Sequence, residues 1–174
     1  MNIRNATAAD LSAVETIYNA VLDDQERHTN FTNWQRGSYP TRQTAETALS
    51  AGTLYVLDDD DGGTVGCAIF NHDQLSEYAQ IDWAFPGEGD GVLVIHTLCV
   101  HPAASGKGYA KAMVAFAEDL GRSHGCTALR LDTYEGNTPA RRMYTGLGYR
   151  FAGATEFFFQ GYIRETLVLF EKAL

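Results

Sequence analysis

The run from Val92 to Val100 is almost unbroken in apolar residues, and together with the segment after it this run limits the folds open to the chain. Such a run suits a central strand covered on both faces. After it come His101-Pro102, a small loop through Ser105-Gly106-Lys107-Gly108, and an amphipathic helix with Tyr109, Met113, Phe116 and Leu120 on one face. A strand that passes through a glycine-rich loop into a helix leaves main-chain N–H groups without helical partners, backed by the positive end of the helix dipole. That is an anion site. The remaining chain must then supply neighbouring strands and covering helices.

Spacing decides which anion. A nucleotide P-loop ending at Gly106-Lys107 needs glycine where His101 stands and a hydroxyl where Gly108 stands. A dinucleotide fingerprint starting at Gly106 needs a small residue where Lys111 stands. Neither pattern is met. The window Ser105-Gly106-Lys107-Gly108-Tyr109-Ala110 resembles the motif A loop of the Gcn5-related N-acetyltransferases (GNAT), Gln/Arg-x-x-Gly-x-Gly/Ala, with Ser105 in place of Gln or Arg. The window Asn137 to Tyr149 resembles the family's motif B, N-x-x-A-x-x-x-Y-x-x-x-G-[FY], and Asn137, Ala140, Tyr144, Gly148 and Tyr149 match its defining positions.

That resemblance implies a GNAT fold whose two central strands splay at their C-terminal ends around the arm of acetyl-CoA. Carried over by position, Leu98, Cys99 and Val100 pair with the pantetheine arm. Ser105, Gly106, Lys107, Gly108, Tyr109 and Ala110 hold the pyrophosphate, and Asn137, Ala140 and Arg141 belong to the same cofactor site. Gly106 and Gly108 are needed because a Cβ there would keep phosphate oxygens off the N–H groups. Lys107, Lys111, Arg141 and Arg142 offset the charge of the carrier, or form a solvated helix face.

The resemblance also makes Tyr144 the acid that protonates the departing thiolate, since a phenol of pKa ~10 matches a thiolate of comparable basicity. Its structural alternative is core packing beside Leu147. Two residues compete as base. Asp132 stands on the strand entering motif B, where ribosomal-protein N-terminal acetyltransferases carry a glutamate; His96 matches one of two strand histidines of the arylalkylamine branch, with Val94 at the other's place. Either is equally readable as a hydrogen-bonded core group, and a water chain is the third option. Phe31, Trp34 and Tyr39, from the loop after the first helix, are expected to bind the acceptor, with Tyr134, Glu77 and Asp82 as further candidates.

Composition narrows the partners. The formal charge is 13 − 22 = −9, which disfavours nucleic acid and favours a cationic acceptor. Cys67, Cys99 and Cys126 lack paired spacing, as in a reducing cytoplasm. No basic segment followed by an apolar one opens the chain, and no apolar run is long enough to span a bilayer, so a cytoplasmic protein without membrane contact is expected. Asp58 to Asp61 reads as a hydrated turn, because the twelfth position from Asp58 is Ile69 and not a bidentate glutamate. The histidines show no spacing for a metal. Cys99 lacks an adjacent base and reads as core.

The expected fold is α/β: a mixed central sheet of about seven strands with helices on both faces, in one domain over residues 1–174. Strands are expected over Asn2 to Ala6, Leu54 to Leu57, Val65 to Phe70, Val92 to Val100, Thr127 to Thr133, Phe151 to Phe158 and Arg164 to Glu171. Helices are expected after the capping-box-like start Thr7-Ala8-Ala9-Asp10, from Thr41 to Ala51, from Tyr109, and from Thr138 with Pro139 at the first position. Phe157, Phe158 and Phe159 alternate between core and the acceptor pocket or a dimer contact, and a homodimer stays open. The expected activity is direct acetyl transfer from acetyl-CoA to a primary amine of a small molecule in a ternary complex, with no metal. The alternatives are a peptide or protein N-terminus as acceptor, a longer acyl donor, and a catalytically silent CoA-binding sensor, which would not need Tyr144.

Overall fold

In chain order the elements are β1 (Asn2–Asn5), α1 (Leu11–Arg27), α2 (Arg42–Ser50), β2 (Leu54–Asp58), β3 (Thr64–Asn71), β4 (Val92–Val100), α3 (Tyr109–Ser123), β5 (Ala128–Tyr134), α4 (Thr138–Gly146), β6 (Arg150–Phe159) and β7 (Ile163–Ala173). The structure is a computed structural model that describes all residues except 160–162. The described strands form one mixed sheet in the order β1-β2-β3-β4-β5-β7-β6. No described helix is long and apolar enough to cross a membrane. The described residues divide into two compact units: Met1–Thr29, Trp34–Phe70 and His96–Phe116 form the first, and Asn30–Asn33, Asn71–Ile95 and Ala117–Leu174 the second.

In the first unit β1 pairs antiparallel with β2, and β2 with β3. Alternation sends Leu54 and Val56 of β2, Cys67 and Ile69 of β3 and Cys99 of β4 to one face, where they meet Leu11, Val14, Ile17 and Tyr18 of α1 and Ala45 and Ala48 of α2. The other face carries Tyr55, whose ring lies 5.0 Å from Phe70 and 5.5 Å from Phe116 of α3. Helices thus cover both faces of this part of the sheet. Helix α1 begins one turn later than the sequence suggests, because Ala8–Asp10 form a 3-10 turn whose Asp10 N–H closes on the Thr7 carbonyl at 3.0 Å.

In the second unit β4 and β5 pair in parallel from Val92↔Ala128 to Ile95↔Leu131, and β7 pairs antiparallel with both β5 and β6. One face meets α4, with the Tyr144 ring 5.8 Å from Phe170. The other is covered by the stretch between β3 and β4, where Tyr78 packs on Val92, Val94, Ala128 and Leu169. That stretch is fastened by the fully buried Glu171, whose carboxylate accepts the N–H groups of Ala84 at 2.9 Å and Phe85 at 3.1 Å and pairs with Arg150. A buried charge is tolerable when its oxygens are filled in this way.

Two expectations shift. The deeply buried stripe of α3 is Met113, Val114 and Ala117, while Tyr109, Phe116 and Leu120 are half-buried. Close packing is seen at Gly121 near the end of the helix, where a Cβ would stand 2.4 Å from Leu174 Cδ1. In α4, Pro139 is the second helical residue and Asn137 is the cap, its Oδ1 accepting the Ala140 N–H at 3.2 Å. On β6, Phe158 is exposed and Phe157 half-buried, as alternation requires; the side chain of Phe159 lies outside the described residues.

Candidate active site

The loop that leads into α3 takes a backbone that only glycine adopts freely. Gly106 and Gly108 sit at φ +79° and +84°, the left-handed region, and nothing lies within 4 Å of a Cβ built on either. The first amide of α3 to close on a carbonyl is that of Ala112, onto Gly108 at 3.0 Å. The N–H groups of Tyr109, Ala110 and Lys111 therefore precede the helical ladder. Ser105, Lys107 and Lys111 are exposed around them.

Strand β4 holds a feature the sequence hid. Thr97 has φ 50°, in the left-handed region that a β-branched residue almost never enters and that costs roughly 1–3 kcal/mol. Leu98, Cys99 and Val100 come directly after it. The Tyr39 hydroxyl shares a hydrogen bond with Thr97 Oγ1. Trp34 meets Tyr39 edge-on at 5.9 Å and packs against the α1–α2 core, so its ring is partly a core group. Cys99 is core as well: its Sγ lies 3.5 Å from Cys67 Sγ, and that contact together with burial pushes its thiol well up, away from the nucleophilic thiolate. His96 is half-buried, one residue before the distorted Thr97.

In the second unit the remaining candidates converge. Tyr144 is buried on α4, and burial, then the charge of Asp132, hold its phenol above the ordinary value. Asp132 on β5 accepts the hydroxyl of Tyr78 at 2.8 Å. Leu169, opposite Asp132 in the β5–β7 register, shares its face with Glu165, four residues back along β7. Glu165 is half-buried and accepts Asn33 Nδ2 at 2.9 Å. Burial raises the Glu165 carboxyl, the Asn33 bond draws it part-way back, and Asp132 adds to the rise. Tyr144, Asp132, Tyr78 and Glu165 thus form one electrostatically coupled group.

Other expected residues are occupied by the fold. Asn137 spends its side chain as the α4 cap and, through Nδ2, on Thr133 Oγ1 at 3.0 Å. Arg141 donates to the Glu135 carbonyl at 2.8 Å, and Ala140 is half-buried in the first turn. Tyr134 lies over Gly136, where a Cβ would fall 2.4 Å from its ring. Phe31 is half-buried in the same four-residue stretch as Asn33. Glu77 accepts the Ser76 hydroxyl, and Asp82 is exposed. Among the described residues no group of three or more His, Cys, Asp or Glu is placed to hold a metal ion.

Glu165, Asn33, Tyr78 and Thr97 were missed from the sequence. Two carboxylates on one face of neighbouring antiparallel strands were readable only once the β5–β7 register was known. Thr97 carried no signal, since threonine is an ordinary strand residue.

The family model for the acetyltransferase (GNAT) family matches residues 15–149, which hold both the glycine loop and the Tyr144 helix. No curated protein sequence matches the chain. Among solved structures, a ribosomal-protein-alanine N-acetyltransferase from Brucella melitensis is similar at TM-score 0.75 and 19% identity, with all of both chains covered. A GNAT-family acetyltransferase from Streptococcus agalactiae reaches TM-score 0.81 at 18% identity, covering 99% of this chain and 95% of that one. A candidate acetyltransferase from Salmonella typhimurium, solved with its cofactor acetyl-CoA, gives TM-score 0.71 at 20% identity over 100% and 94% of the two chains. These likenesses show the fold, and the family match extends over most of the chain. This protein belongs to the GNAT family and is an acetyltransferase.

Proposed function

We propose that this enzyme takes acetyl from acetyl-CoA and passes it directly to a primary amine of a small cationic molecule, with residues 1–174 working as one catalytic domain. The observation that carries the reading is the state of Tyr144: a buried phenol on the motif B helix, its proton held by burial and by Asp132. A group in that state is a proton donor throughout the neutral range.

The residues fit an acyl-CoA. Gly106 and Gly108 leave open the space that a Cβ would fill, and the amides of Tyr109, Ala110 and Lys111 precede the helical ladder of α3. Lys107 and Lys111 supply positive charge beside them in a chain whose net charge is −9. When bound, acetyl-CoA supplies an acetyl group activated as a thioester. The Gly106 to Ala110 amides hold its pyrophosphate, and the main chain of Leu98 to Val100 aligns its arm. Tyr144 holds a proton on its hydroxyl oxygen for the sulfur that leaves. Asp132 and Glu165 attract the acceptor's ammonium, and the Asp132 carboxylate takes up its proton. Asn137 serves by starting α4 and so placing Tyr144.

A thiol-release screen over polyamines, amino acids, aminoglycosides, arylalkylamines and short peptides tests the reading. Turnover with a small cationic amine, above that with peptides, is the expected result. Turnover with peptides alone overturns the small-molecule acceptor. Acetyl-CoA binding without turnover on any amine assigns a binding module instead.

A further inference from the structure

Something must impose the left-handed conformation of Thr97, because a threonine left to itself stays extended. Thr97 is 8% exposed, so solvent does not satisfy its hydroxyl. That hydroxyl is bonded to the phenol of Tyr39, which lies 58 residues away in sequence. Tyr39 is itself braced. Trp34 stands edge-on to it, and the Trp34 carbonyl accepts Gln25 Nε2 of α1 at 2.6 Å. Further along β4, Cys99 is pinned through its sulfur contact with Cys67 on β3. The strand is therefore gripped both at the residue where it departs from regular geometry and just beyond it.

The φ of residue 97 fixes the direction in which the N–H and C=O groups of Leu98, Cys99 and Val100 point. We propose that Tyr39 is a positioning residue: its hydroxyl holds Thr97 left-handed and so sets the main chain of Leu98 to Val100 for the acyl-CoA arm. This inference rests on acyl-CoA being the donor. It moves Tyr39 from an acceptor contact to a support of the donor site.

The test is a double-mutant cycle on acetyl-CoA affinity, measured by calorimetry without acceptor. Tyr39→Phe removes one oxygen and is expected to weaken acetyl-CoA binding roughly five- to tenfold. Thr97→Gly is expected to bind as well as wild type, because glycine takes positive φ without strain. In the Tyr39→Phe background, Thr97→Gly is then expected to restore affinity to within about twofold of wild type. A Tyr39 that only stabilised the fold, or only touched the acceptor, would not be rescued by glycine on β4. Thr97→Val removes the same bond from the other side and must show the same loss; it replaces Tyr39→Phe if that variant does not fold. Unchanged affinity in Tyr39→Phe, or no rescue by Gly at 97, overturns the inference while leaving acyl-CoA as the donor. A wild-type protein that binds no acetyl-CoA overturns both.

Discussion

The hydroxyl of buried Tyr78 donates to Asp132 Oδ2 across 2.8 Å, fixing one oxygen of the carboxylate on the strand that leads into the Tyr144 helix. Burial, then the Asp132 charge, raise the Tyr78 phenol well above its ordinary value, so it remains a donor at any pH the enzyme meets. Tyr78→Phe keeps the ring contact with Trp83, at 5.3 Å, and loses only the bond. We expect kcat to fall roughly five- to tenfold and stability by about 1 kcal/mol, as for one buried hydrogen bond. Acetyl-CoA affinity should not move. Steady-state kinetics with calorimetric binding checks this, and unchanged kcat would show that Asp132 needs no fixing.

Tyr144 is placed by rings as much as by its helix, 5.7 Å from Tyr149 and 5.8 Å from Phe170. Tyr144→Phe retains those contacts, so the variant should fold and bind acetyl-CoA within about twofold of wild type. Its kcat should drop by roughly 10²–10⁴, the usual worth of a positioned acid. The pH profile adds a sign. An acid is active while protonated and lost as pH rises through its pKa, and this pKa is raised. The limb that Tyr144 imposes therefore lies above about pH 10, the ordinary phenol value. A descending limb of kcat at lower pH that persists in the phenylalanine variant belongs to another group.

Much of this arrangement was legible from residue patterns because it depends on local rules. The Val92–Val100 strand, the helix start after Gly108 and the helix ending before Gly148 each depend on periodicity or on glycine's left-handed freedom. The effect of the Asp132 charge on Glu165, and the bond between Tyr39 and Thr97, depend on strand register and on contacts between segments distant in sequence. Nothing local in the chain marks those residues. Asn137 shows the converse: its motif position was plain, but its side chain is spent on the α4 cap and Thr133.

Asp10 gives the first unit an acid-sensitive fastening. Its carboxylate takes two N–H bonds from Arg4, at 2.8 and 2.9 Å, and one from the Thr7 amide at 2.7 Å. The Arg4 guanidinium, foremost among its partners, holds it well below the usual carboxylate range. A depressed carboxyl stabilises the fold above its unfolded pKa, near 4, and loses that contribution as pH falls further. Asp10→Asn should therefore cost about 2 kcal/mol at neutral pH. For a chain of this size that lowers Tm by roughly 4–8 °C. The gap to wild type should close in scans below about pH 4; a gap that stays constant with pH would mean packing, not charge, is lost.

Gly108 separates backbone strain from ligand access. Its φ of +84° penalises any side chain, yet a Cβ there meets no neighbour within 4 Å. Gly108→Ala should thus destabilise the free protein only by about 1–2 kcal/mol, the left-handed penalty. If the phosphates lie against this amide, the methyl also obstructs them, and acetyl-CoA affinity should fall more than about tenfold, beyond what that strain explains. Calorimetry beside a thermal scan distinguishes the two. Affinity that falls no further than stability would place the pyrophosphate elsewhere.

Glu165 is expected to lower stability in exchange for binding. Its carboxyl is raised by burial and by Asp132, with Asn33 only part-compensating. A carboxyl raised in the folded state favours folding at low pH, below its unfolded pKa, and that advantage is lost as pH rises through the folded value. At neutral pH the ionised Glu165 therefore strains the second unit. Glu165→Gln removes the charge while keeping an oxygen for Asn33, so Tm should rise by roughly 1–3 °C at pH 7. The rise should vanish below about pH 4, where both forms are neutral. The same variant should raise KM for a cationic acceptor about tenfold, since a charged partner is lost, and leave KM for acetyl-CoA unchanged. A stabilised variant with an unaltered acceptor KM would remove Glu165 from recognition, leaving its burial without a part in catalysis.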